Sequence, residues 1–105
     1  MKIQLNTDHN IEGNERLQAF LENKISNALS RFESYVTRVE VHLSDQNAGK
    51  SGPNDKRCLL EVRPEGREPL TVTANADTVE NAVNNAIEKI KNVLDTEVGK
   101  LNASR

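Results

Sequence analysis

The apolar residues of this chain change period along its length, and that change limits what it can fold into. Two long stretches repeat an apolar residue every three or four positions, the mark of an amphipathic helix. Four short stretches alternate apolar with polar, the mark of a half-buried strand. Lys2-Ile3-Gln4-Leu5-Asn6 is the first alternating stretch, and Asp8 to Gly13 has the composition of a turn. From Asn14 to Phe32, residues Leu17, Phe20, Leu21, Ile25, Ala28, Leu29 and Phe32 keep helical spacing, with Asn14 in position to cap the first turn. Thr37 to Leu43 returns to period two: Val39, Val41 and Leu43 share one side, and Arg38, Glu40 and His42 share the other.

Ser44 to Lys56 has no periodicity, is rich in Gly, Ser, Asn, Asp and Pro, and reads as a mobile loop between two antiparallel strands. Cys58 to Arg63 is the next strand and Leu70 to Ala74 its hairpin partner, with Gly66 supplying positive φ in the turn between them. A last helix spans Thr78 to Lys100. Asp77 and Glu80 form a capping-box pattern, and Val79, Ala82, Val83, Ala86, Ile87, Ile90, Leu94 and Val98 form its apolar stripe. The order is β-α-β-β-β-α. Each strand has one apolar side and each helix one stripe, so the expected fold is an α+β two-layer sandwich, two helices packed on one face of a four-stranded sheet. Residues 1–101 are expected to form a single domain, with residues 102–105 as a disordered tail.

A 105-residue domain buries roughly two-thirds of its unfolded surface, enough for a core without metals or disulfides. The apolar share is 35% and aromatics are 3%, so that core must be aliphatic. One cysteine, Cys58, fits a reducing compartment, and neither a signal peptide nor a membrane span is present in the pattern. A cytoplasmic location is expected, with no membrane partner. Sixteen acids against fourteen bases leave a formal charge of −2, the opposite of a protein that grips nucleic acid by its overall field. Any RNA contact must come from a local basic patch.

Catalytic and cofactor patterns are missing. Cys58 has no histidine near it in sequence and reads as a buried thiol; His42 reads as a polar-face residue and His9 as a loop residue. The two histidines and one cysteine lack metal-ligand spacing, Asp45 and Asp55 lack calcium-loop spacing, and no phosphate-binding glycine motif occurs. No cofactor is expected, and the chain is expected to bind rather than to catalyse.

The candidate binding residues lie on the helices. Lys24, Asn27 and Arg31 fall three and four apart, and Arg16 lies two turns before Lys24. On the second helix Lys89, Lys91 and Asn92 cluster, accompanied by Asn81, Asn84 and Asn85. Side by side, these ridges would offer cations and amides to phosphates and sugar hydroxyls, reading RNA by shape. The same residues also suit an ordinary solvated helix face, because Glu15, Glu22, Glu88 and Asp95 are interspersed among them.

Several strings recur in a recognisable order: Ile11-Glu12 after the first strand, the Leu17…Phe20-Leu21…Lys24 pattern, Arg38-Val39-Glu40-Val41, and Ala82-Val83-Asn84-Asn85-Ala86-Ile87-Glu88-Lys89-Ile90. In that order they resemble the ribosome hibernation-promoting factor family, also called ribosome-associated inhibitor or sigma-54 modulation proteins. The resemblance runs from Ile3 to Leu101 and implies the β-α-β-β-β-α sandwich. It also implies a bacterial stress protein that docks on the small ribosomal subunit and its ribosomal RNA when growth slows, in the channel of messenger and transfer RNA. Lys24 and Lys89 match recurrent family lysines, while Arg31 and Lys91 fall near family basic positions.

There are departures. Asn92 stands where the family usually has Arg, Val79-Glu80 where it has an aromatic residue, and Asn27 or Ala28 where it has a second lysine. Asp95 and Glu97 add acid near the end of the second helix, and the C-terminal extension of long members is missing from the match. The alternative is therefore a diverged member that has lost ribosome affinity and binds protein, through the Ser44–Lys56 loop or by strand addition at a sheet edge. A monomer or weak edge-to-edge dimer is expected, with no DNA partner.

Overall fold

The computed structural model describes residues 1–46 and 55–103. Most of the predicted loop, residues 47–54, and the last two tail residues, 104 and 105, lie outside the described residues. The elements are β1 (Lys2–Thr7), α1 (Glu15–Ala28), a 3-10 turn (Ser30–Phe32), β2 (Val36–Asp45), β3 (Lys56–Pro64), β4 (Leu70–Ala76) and α2 (Val79–Ala103). The sheet order is β1-β2-β3-β4, with β1 parallel to β2 and the other neighbours antiparallel. Parallel neighbours cannot be joined by a tight turn, and α1 provides the crossover between β1 and β2.

Local chemistry explains most element ends. The Asn14 side-chain oxygen accepts from the Leu17 amide at 2.9 Å and starts α1. The expected single helix to Phe32 instead ends at Ala28. The chain then tightens into the 3-10 turn, with the Phe32 amide donating to the Leu29 carbonyl at 2.9 Å. Such turns are common at helix ends, and this one directs Phe32 into the core as the chain enters β2. At α2 the cap is Thr78 rather than Asp77. Thr78 Oγ1 accepts from the Asn81 amide at 3.1 Å, and the helical ladder begins with the Ala82 amide on the Thr78 carbonyl. Two adjacent capping residues look equivalent locally, and packing of the first helical turn selects the second. Gly66 takes φ of 68° in the β3–β4 turn, as its lack of a Cβ permits.

The cross-strand register puts Val39, Val41 and Leu43 of β2, Cys58, Leu60 and Val62 of β3, and Ala74 and Ala76 of β4 on one face, all buried. Leu21 and Ile25 of α1, with Leu29 and Phe32 beyond it, and Ala82, Val83, Ala86, Ile87, Ile90 and Leu94 of α2 close over that face. Alanines on both β4 and α2 let the helix settle close to β3 and β4. The two helices run in the same direction. At one end Leu17 and Phe20 border the same groove as Val79; at the other Arg31 reaches Asp95.

The opposite sheet face is open and polar, carrying Gln4, Asn6, Arg38, Glu40, His42, Arg57, Glu61, Arg63, Thr71 and Asn75. At the root of the long connection, Asp45 and Asp55 are buried, and Lys56 Nζ lies 3.4 Å and 2.9 Å from their carboxylates. Its ammonium pKa is raised, chiefly by the hydrogen bond to Asp55. The Gln46 amide donates to the Asp55 carbonyl at 2.8 Å, and Asp8 Oδ2 accepts from the Asp45 amide at 3.1 Å. Both ends of the connection are thus tied to each other and to the residue following β1.

Candidate nucleic-acid interface

The seven candidate residues divide into three settings. Arg16, Lys24 and Asn27 occupy one line along α1, because they recur at intervals of eight and three residues with Phe20 between the first two. Phe20 borders a groove of about 520 Å³ with Ile11, Leu17 and Val79, so this line runs along the flank of α1 nearest α2. Arg16 stands at the rim of the same groove with Glu12 and Glu80. Lys24 Nζ lies 5.8 Å from the Phe20 ring centroid. Among the described residues neither Arg16 nor Lys24 has a carboxylate within ion-pair distance.

Arg31 is exposed but occupied. One terminal nitrogen lies 2.7 Å and 2.9 Å from the two Asp95 oxygens, and the guanidinium carbon lies 4.4 Å from the Phe32 ring centroid. This contact ties the end of the first helical segment to α2. Lys91, half-buried on α2, lies 3.9 Å from Glu88 one turn away, and Asn92 beside it is exposed.

Lys89 sits elsewhere. Its Nζ donates to the Thr73 carbonyl of β4 at 2.7 Å, so its ammonium reaches the outer edge of the sheet on the flank of α2 away from α1. A lysine placed on an edge strand also blunts that edge against pairing with another chain. The structure therefore brings Arg16, Lys24, Asn27 and Arg31 to the α1 side of the helix layer, and sets Lys89 apart from them. α1, the 3-10 turn and α2 together carry six bases and six acids: Arg16, Lys24, Arg31, Lys89, Lys91 and Lys100 against Glu15, Glu22, Glu80, Glu88, Asp95 and Glu97. The layer has no net charge, and local separation of charge gives it its basic spots.

The open sheet face holds a second group of ionisable residues that sequence spacing does not reveal. Register pairs Glu40 directly with Glu61 across β2 and β3, and His42 follows on the same face. Donor atoms of these three residues come within 4.8 Å of one another. Arg63 lies 3.2 Å from Glu40 and 3.4 Å from Glu61, while Arg38 lies 3.5 Å from Glu40 and donates to Gln4. Like charges placed opposite each other repel, and the guanidiniums offset that repulsion, so the arrangement is an ion-pair ladder. Reading it from sequence would require the register across a long connection, which no turn rule supplies.

Cys58 and His42 lie on opposite faces of the sheet. Cys58 is fully buried, and burial pushes its thiol from 9.0 up to about 12. The expected structural role of this cysteine agrees with that setting. No helix among the described residues is long and apolar enough to cross a membrane.

Comparison with known proteins places this geometry. The model of the Sigma 54 modulation protein / S30EA ribosomal protein family matches residues 5–102. No curated protein sequence matches the chain. Among solved structures, the Thermus thermophilus Protein Y N-terminal domain is 22% identical, with a TM-score of 0.70 over 96% of this chain and 99% of that one. A ribosomal subunit interface protein from Coxiella burnetii is 16% identical, with a TM-score of 0.72 over 98% of this chain and 99% of that one. At these identities the structures establish the fold, and the family model, spanning nearly the whole chain, establishes the kinship: the chain belongs to the Sigma 54 modulation protein / S30EA ribosomal protein family.

Proposed function

We propose that this protein is a cytoplasmic ribosome-associated stress or hibernation factor that contacts ribosomal RNA of the small subunit through its helix layer and so modulates translation. Family membership supplies the ribosome. The observation carrying the RNA contact is the line Arg16–Lys24–Asn27 on the flank of α1 nearest α2, whose two cations have no carboxylate partner among the described residues. Cations spaced along a rigid helix meet successive phosphates, and the neighbouring amide adds a neutral donor for sugar hydroxyls. Lys89, Lys91 and Asn92 extend the surface onto α2, with Lys89 at its far edge. The protein acts by occupancy, and no catalytic step is assigned to it.

The test is co-sedimentation with purified small ribosomal subunits at low and at high salt. Stoichiometric pelleting that fades as salt rises supports phosphate contacts. Absence of pelleting at low salt refutes the proposal. It would then favour the second reading, a family member that binds protein. The zero net charge of the helix layer and the apolar groove formed by Ile11, Leu17, Phe20 and Val79 support that reading.

A further inference from the structure

Arg31 is held from two sides. Its terminal nitrogen meets both oxygens of Asp95 at 2.7 Å and 2.9 Å, and its guanidinium carbon lies 4.4 Å from the centroid of the buried Phe32 ring. The ring restrains the plane of the guanidinium, and the carboxylate occupies the donors of that one terminal nitrogen. Carboxylate and phosphate compete for the same kind of guanidinium donor, so Asp95 sits where a phosphate oxygen would sit on that nitrogen. Both side chains are about half exposed, at 57% and 47%, so water already screens the pair and a phosphate can reach it without opening the core. Arg16 and Lys24, on the adjoining face, have no such competitor among the described residues.

We infer that Asp95 is an internal competitor for RNA phosphate at Arg31, and that it sets the affinity of the helix layer below what its cations would otherwise provide. The inference rests on the RNA-binding reading proposed above. It makes Asp95 an affinity-determining residue that touches no RNA itself. Asp95 must be displaced before phosphate can take its place on that nitrogen, so the gain from removing Asp95 is bounded by the strength of a solvated ion pair, about two- to fivefold in affinity.

The experiment measures binding of the full chain to small ribosomal subunits, and separately to a bare RNA duplex, for wild type, Asp95→Asn, Arg31→Ala and the double variant. Asp95→Asn is expected to tighten binding two- to fivefold and to steepen its salt dependence by about one phosphate contact. The double variant is expected to match Arg31→Ala alone. An equal gain in the Arg31→Ala background would show a general effect of removing negative charge, and would overturn the inference. So would the absence of any gain with Asp95→Asn on either probe, with thermal unfolding confirming that it is folded. If wild type fails on subunits while Asp95→Asn still gains on the duplex in an Arg31-dependent way, the ribosome reading fails and this inference stands.

Discussion

Salt dependence turns the geometry of the helix layer into a number. Six bases lie on its helical segments, and among the described residues Arg31, Lys91 and Lys100 each lie within 4 Å of an acid, while Arg16, Lys24 and Lys89 do not. If those three make the phosphate contacts, log K should fall against log salt with a slope of about 2.1–2.7, at roughly 0.7–0.9 per contact. Raising salt from about 50 to 200 mM would then weaken binding by about 20–40-fold. Lys24→Ala should lower the slope by about 0.7–0.9, so that the same change of salt costs only about 7–12-fold. The substitution should barely affect stability, because the lost contact with Phe20 is a partly exposed cation–π pair worth about 0.5–1 kcal/mol. The assay is fluorescence anisotropy of the labelled protein with small subunits across a salt series, with thermal unfolding as the control. An unchanged slope for Lys24→Ala would refute the assignment of Lys24 to phosphate. A wild-type slope of about 4 or more would show that the acid-paired cations also release their partners, contrary to the counting above.

Other expectations concern the scaffold. Leu60→Ala, at a fully buried site on β3 between Val41 and Val72, should cost about 2–5 kcal/mol and lower Tm by about 10 °C or more; a drop of only a few degrees would contradict the packing described. Asn14→Ala removes the cap on the Leu17 amide and should cost about 1 kcal/mol in chemical denaturation, with Asn14→Ser retaining most of the stability. The native Cys58 thiol stays protonated up to about 12 whereas the unfolded chain ionises near 9.0, so its contribution to stability is complete below that value and declines above it. The decline should approach 1.4 kcal/mol per pH unit, and Cys58→Ala should remove that slope between pH 9 and the onset of Lys56 titration. Native protein at pH 8 should also resist a thiol reagent that labels the denatured chain at once.

Most of the fold could be read from side-chain periodicity because each element buries one face. The three-and-four spacing from Leu17 onward and the stripe from Val79 to Val98 both become helix, and the alternation of Val39, Val41 and Leu43 becomes the buried face of β2. Element ends were less legible. Asp77 and Thr78 are both good caps, and only the packing of Ala82 and Val83 on the sheet decides between them. The break after Ala28 depends likewise on where Phe32 finds its place in the core.

The candidate interface shows the sharper division. Sequence alone determined which residues are cationic and which share a helix face, because helical spacing is local and the positions of Arg16, Lys24 and Asn27 follow from it. Tertiary structure decided which of those charges are available. Asp95 is 64 residues from Arg31 and compensates its charge once α2 lies beside α1, whereas Thr73, 16 residues from Lys89, only holds that ammonium at the sheet edge through a neutral carbonyl once α2 lies over β4. The pairing of Glu40 with Glu61 and the sealing of Asp45 and Asp55 around Lys56 likewise wait on strand register. Spacing along a chain is conserved through any fold that keeps the element, whereas the energy of a charge depends on distances across elements, and those exist only after the chain has packed.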